Sequence, residues 1–150
     1  MRVSTRGEYG LRAVLDLAQH YGYGPIALKQ IARRQEVSEH YLEQLMGGLR
    51  KAGLVASVRG AQGGYRLAAS PEEIMVGDVL RALEGAVEIP VDDDRPLGAE
   101  ARCLPMYGTR LLWREVNRRV VDLLDSLSVA ELLARAEREQ SERSEYVYYI

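Results

Sequence analysis

Residues 28–67 read LKQIARRQEVSEHYLEQLMGGLRKAGLVASVRGAQGGYRL, and the spacing of their apolar residues decides the fold. Leu28, Ile31 and Ala32 share one helical face, and Leu42, Leu45, Met46 and Leu49 form a second stripe at the same period. Gln35-Glu36-Val37 separates the two runs, a break of the length that joins the paired helices of a helix-turn-helix. Ser38 stands at the N-cap position, where a hydroxyl can accept from a free backbone N–H. With Tyr41 and Leu42 turned inward, His40, Glu43, Gln44 and Gly47 are left on the outer face. Gly53 ends the second helix. Val55–Val58 then alternates like a strand, and Tyr65-Arg66-Leu67 can return beside it. The connection, Arg59-Gly60-Ala61-Gln62-Gly63-Gly64, is rich in glycine, which lets a backbone approach phosphate closely.

Two helices, a tight turn and a glycine-rich hairpin make a winged helix-turn-helix. The expected fold class is mainly α with a small β-hairpin wing, followed by a long C-terminal dimerisation helix. Such a module offers one helix to the major groove of DNA and one loop to the neighbouring backbone or minor groove. The loop is not a dinucleotide fingerprint, because it lacks the G-x-G-x-x-G spacing and lies between strands. The formal net charge of −2 hides an asymmetry. Residues 1–70 hold ten Lys/Arg and five Asp/Glu, a net of +5, whereas residues 71–150 hold ten Arg and seventeen Asp/Glu, a net of −7. The basic half coincides with the helix-turn-helix, where phosphate contact is expected.

The chain of 150 residues is 47% apolar, enough for one core plus a dimerisation arm. No apolar run reaches the roughly 18 residues of a membrane span. The opening MRVSTRGEYG has no apolar signal-peptide region, and a single cysteine forms no internal disulfide. A cytoplasmic protein is expected.

The expected organisation has four parts. Residues 1–85 are the DNA-binding domain. Its first helix starts at Thr5 with a Thr5-x-x-Glu8 capping box, buries Leu11, Val14, Leu15 and Ala18, and ends near the 21–25 breaker YGYGP. Ser70-Pro71-Glu72-Glu73 combines N-cap, proline and capping-box glutamate ahead of a short helix at Val76–Leu83. Residues 86–108 are read as a flexible loop, with Asp92-Asp93-Asp94 a solvated charge run rather than a cation site. Residues 109–138 hold the dimerisation helices. Leu112, Val116, Val120, Leu123 and Leu127 form a stripe, widened by Trp113 and Leu124, that needs a partner, and a second copy is the simplest one. Ser128-x-x-Glu131 caps the last helix. Residues 139–150 are a tail whose EQSERSE acts as a tether to the apolar tip YVYYI.

MRVSTRGEYGLRA, SEHYLEQL, SVRGAQGGYRLA and VGDVLRALEG together resemble the winged-helix regulator family of the iron–sulfur cluster regulator IscR and the cysteine-metabolism repressor CymR. The resemblance spans most of residues 1–85 and, later, the Trp113 helix. SEHYLEQL, the wing and the closing YVYYI look most like the CymR branch. The family implies a dimer reading a pseudo-palindromic operator in double-stranded DNA. By position it places Ser38, His40, Tyr41, Glu43 and Gln44 on the recognition helix and Arg59 with Gly60 on the wing.

The cluster-binding branch uses three cysteines and a histidine in the loop before the long helix. Here that loop holds only Cys103, and the two histidines, His20 and His40, lie far upstream. One thiolate cannot hold a two-iron cluster, so no cofactor is expected within one chain. Cys103 is either an ordinary thiol or a redox sensor, with only Arg102 nearby in sequence to lower its pKa. The CymR-like branch implies instead a protein corepressor, cysteine synthase. That enzyme's active site accepts the C-terminal isoleucine of serine acetyltransferase, and this chain also ends in isoleucine. Tyr148, Tyr149 and Ile150 are therefore the partner-binding residues that the resemblance implies; the alternative is that they pack on a neighbouring helix.

The leading function is a DNA-binding repressor of cysteine or sulfur metabolism genes. The alternatives are a family member sensing redox state or another effector, and a synthase-binding protein without autonomous DNA binding. An enzyme is not expected. There is no serine elbow, P-loop or paired metal-ligand motif.

Overall fold

The computed structural model describes residues 4–89 and 104–148. Within them the order is α1 (Thr5–Gln19), α2 (Leu28–Gln35), α3 (Glu39–Lys51), β1 (Val55–Val58), β2 (Gly64–Leu67), α4 (Val76–Glu84), α5 (Leu104–Ser126) and α6 (Val129–Tyr148). The mainly helical fold with a β-hairpin wing agrees with the sequence reading.

The core lies where α1, α2, α3 and α4 meet the base of the hairpin. Val14, Ile31, Leu42, Met46, Leu49 and Val79 are fully buried there. Each such side chain contributes about 1.5–3 kcal/mol relative to exposure. β1 and β2 pair antiparallel, Val55 opposite Leu67 and Val58 opposite Gly64. Ile26 adds a single bridge to Tyr65 on the outer edge of β2.

Helix α1 differs in detail from expectation. Its cap is Ser4, one residue before Thr5: the Ser4 hydroxyl accepts from the Gly7 N–H at 3.3 Å. Ser4 is preferred because its own N–H and hydroxyl donate to Glu84 of α4, at 2.9 and 2.7 Å. Glu8, freed from the cap, pairs with Arg12. The buried face is rotated towards Gly7, Gly10, Ala13 and Leu17, while Leu11 and Leu15 are only partly covered. A Cβ on Gly10 would stand 2.0 Å from Leu83 Cδ1, so the glycine permits the close crossing of α1 and α4.

Ser70-Pro71-Glu72-Glu73 closes a turn instead of starting α4. Glu73 accepts from the Ser70 N–H at 3.1 Å and its hydroxyl at 2.9 Å, which holds the Glu73 carboxyl below the usual carboxylate range. The helix waits until Val76 because Ile74 is buried and Met75 is bridged to Ser128. That bridge ties the long helices directly to the DNA-reading half, beyond the chain connection through 86–108. At the α5–α6 elbow, Val76 N–H donates to Leu127 O at 2.9 Å and Val129 N–H to Ile74 O at 2.8 Å. Leu127 and Val129 are buried at the same place.

Both C-terminal helices are longer than read. α5 begins at Leu104, so 104–108 is helix rather than loop. Residues 90–103, with the three aspartates and Cys103, lie outside the described residues. The 86–89 segment is held: Asn117 of α5 accepts from the Ile89 N–H at 2.7 Å and donates to its carbonyl at 2.8 Å. α6 continues past Arg138 to Tyr148, so the 139–145 stretch is helix and not a tether. The Glu139–Arg143 pair one turn apart and the absence of Pro and Gly from this stretch favour that conformation. Ser128 caps α6 as read, accepting from the Glu131 N–H at 3.1 Å.

Candidate nucleic-acid interface

Helix α3, the candidate recognition helix, is built from its buried side outwards. Leu42, Leu45, Met46 and Leu49 are at most 1% exposed, which fixes the rotation of α3. Ser38 caps it by accepting from the Tyr41 N–H at 3.2 Å. The turn before it depends on Glu36, whose φ of 56° makes it the only non-glycine residue with positive φ among those described. With that rotation fixed, His40, Glu43 and Gln44 are exposed together. His40 Nε2 and Gln44 Nε2 lie 3.2 Å apart, so the two polar groups act as one patch. Tyr41 is different: its ring is partly buried and meets Tyr9 of α1 edge to face, with centroids 6.2 Å apart. It braces α3 against α1. The Arg12 guanidinium lies over the Tyr9 ring, 5.1 Å from its centre.

The wing is set by close backbone contact. A Cβ on Gly63 would stand 2.2 Å from Val58 O, and one on Gly64 would stand 2.1 Å from Ile26 O. Only glycine fits either place, so the tip is narrow and its base is seated on residue 26. Arg59 and Gly60 are exposed at the start of the tip. Arg59 forms no ion pair among the described residues. Arg50 of α3 donates to Ser57 Oγ of β1 at 3.3 Å and links helix to wing. Arg66 stands near the root of the hairpin, opposite Ala56.

One functional support went unread. Asp16, 4% exposed, is the only buried charged residue among those described. Arg34 at the end of α2 meets both its oxygens, at 2.8 and 2.6 Å, and Gln35 donates at 2.9 Å. The Asp16 carboxylate holds the Arg34 guanidinium above its ordinary pKa. This network locks the end of α2, immediately before the turn that aims α3. Its only sequence signal is an aspartate inside the apolar run AVLDLA.

Among the partner-binding candidates, Tyr148 is 91% exposed at the end of α6, whereas Tyr149 and Ile150 lie outside the described residues. No group of three or more His, Cys, Asp or Glu that could hold a metal occurs among the described residues. His20 is committed to α1, with Nδ1 2.8 Å from Asp16 O, and His40 lies on the recognition helix. With one cysteine in the whole chain, the donors of a single subunit do not fit an iron–sulfur cluster. No helix among the described residues is long and apolar enough to cross a membrane.

Comparison with known proteins agrees with this geometry. The family model Rrf2, described as an iron-dependent transcriptional regulator, matches residues 3–135. The transcriptional regulator CymR of Bacillus subtilis is 41% identical over 153 residues, covering 100% of both chains. Its solved structure, titled the global cysteine regulator of that organism, superposes with a TM-score of 0.77 at 40% identity, covering 90% of this chain and 98% of that one. IscR of T. potens superposes at 0.73 with 47% identity, covering 93% and 91%. The chain therefore belongs to the Rrf2 family of helix-turn-helix transcriptional regulators, and it is a DNA-binding regulator close to both CymR and IscR.

Proposed function

We propose that this chain is a cytoplasmic, dimeric repressor of cysteine or sulfur metabolism genes. In this reading His40, Glu43 and Gln44 read base edges of a pseudo-palindromic operator. Ser38 and Tyr41 fix the helix, and Arg59 with Gly60 follows the adjacent backbone or minor groove. The observation that carries the DNA reading is the joint exposure of His40, Glu43, Gln44 and Arg59 on a basic half of net charge +5. Full-length similarity to CymR supports the choice of genes.

Cysteine synthase is the proposed corepressor. α6 carries Tyr148 outward at its end, and the terminal isoleucine carboxylate enters the synthase active site in place of a substrate carboxylate. O-acetylserine competes for that pocket, so abundant substrate weakens repression through linkage. The test is a DNA-retardation assay with promoters of cysteine-synthesis genes, with and without the synthase and O-acetylserine. Specific retardation, strengthened by the synthase and reversed by O-acetylserine, is expected. Deleting Ile150 should abolish the synthase effect and leave the dimer intact. A deletion variant still bound by the synthase, and still released by O-acetylserine, contradicts tail docking and leaves the DNA reading standing.

A further inference from the structure

Beside the root of the wing lies a cavity of about 290 Å³ that DNA reading does not use. Its walls come from the end of α1, the turn after it and strand β2. Backbone geometry explains why it is open. Ile26 and Tyr65 exchange both backbone hydrogen bonds, each at 2.8 Å. In an antiparallel ladder the next edge-facing partner lies two residues on, so residue 24 is due to pair with Leu67. It does not, because Gly22 and Gly24 take φ of +89° and +88° and turn the chain away. The slot between that turn and the edge of β2 is the cavity.

Its chemistry is one-sided. Leu17, Ile26 and Tyr65 give it an apolar wall. Arg66 and His20 also line it, and no carboxylate does. Asp16, whose Oδ1 lies 3.6 Å from His20 Nδ1, is already engaged: Arg34 and Gln35 hold its oxygens. Arg66 forms no ion pair among the described residues. A guanidinium beside a small apolar slot recognises an anion with an apolar body, most strongly a carboxylate that two of its N–H groups can reach together. The volume is at the small end of ligand sites, which sets the size of an amino acid or a single aromatic ring.

We propose that this cavity is an effector site for a small organic carboxylate, its charge on Arg66 and its body against Leu17, Ile26 and Tyr65. A molecule held there touches both α1 and β2, and so braces the wing against the helical body. The proposal does not rest on the DNA reading, since binding is measured without DNA. The test is a titration of the full-length, ¹⁵N-labelled chain with sodium benzoate, and in parallel with benzamide, its neutral counterpart. Saturable amide shifts within 17–26 and 65–67 are expected with benzoate, with at least tenfold weaker binding of benzamide. Arg66→Gln should weaken benzoate at least tenfold. Absence of saturable shifts at those residues, equal binding of benzamide, or unchanged benzoate affinity in Arg66→Gln overturns the proposal.

Discussion

Helices α3 and α5 carry the same kind of apolar stripe and meet opposite fates. In α3 every member of the stripe is buried within its own chain. In α5 none of the 23 residues is buried, and Leu111, Leu112, Trp113 and Leu123 are 45–64% exposed. Periodicity states that a face exists. It does not state what covers it. The α3 face is closed by α1, α2 and α4, whereas among the described residues the α5 face meets its own subunit near the elbow, where Leu124 packs on the cluster of Val76, Leu80 and Leu127, and at Asn117, which holds Ile89. An apolar face left this open is covered by a second copy in our account.

The largest expected effect breaks that comparison directly. Leu45→Ala should cost about 2–5 kcal/mol of folding stability, because a cavity opens in a closed core. Trp113→Asp should keep the helical circular-dichroism signal and halve the mass measured by light scattering. A Trp113→Asp chain that remains dimeric removes the α5 face from the dimer seam.

Next in size is base readout. Glu43→Ala should weaken binding to the preferred operator by about 1–3 kcal/mol and relax preference at one base pair, since a carboxylate accepts from a cytosine amino group in the major groove. Unchanged preference places Glu43 away from the bases.

The Asp16 network gives a smaller effect of a different kind. Breaking a fully buried pair costs about 3–5 kcal/mol, but the Arg34 side chain is 39% exposed and water can partly replace it. Arg34→Ala should therefore cost about 1–2 kcal/mol in denaturant unfolding. It should also weaken specific DNA binding beyond what the lost charge explains, because the end of α2 loosens. Loss of stability without loss of specificity would mean that the network holds the core alone. The smallest effect falls on the wing. Arg59→Ala should lower the salt slope of binding by about one unit, with little change in sequence preference. A slope equal to that of the parent protein places Arg59 away from phosphate.

The winged half was legible in the sequence because its signals are local. Ser38 sits at the N-cap, Gly53 follows the end of α3, and β1 spans Val55–Val58, all as the spacing required. What escaped depends on contacts distant in sequence. The cap of α1 shifts to Ser4 because Glu84, eighty residues away, reaches it. The 70–73 motif makes a turn because Met75 is bridged to Ser128. The partners of Asp16 are marked by nothing local: Arg34 and Gln35, eighteen and nineteen residues on, meet it only in space. The tail differs for the opposite reason: its polar composition reads as a tether, whereas its i,i+4 pairing and helix-forming residues carry α6 to Tyr148. For the candidate site, spacing put His40, Glu43 and Gln44 outward correctly, but could not show that Tyr41 is spent on Tyr9.

The central claim is that α3 and the wing of a dimer read a symmetric DNA sequence. Selection of bound duplexes from a randomised pool by the full-length protein tests it most directly. The account predicts enrichment of an inverted repeat with half-sites about one helical turn apart, roughly 34–36 Å. Enrichment of a single, non-repeated motif, or of no sequence at all, would contradict it.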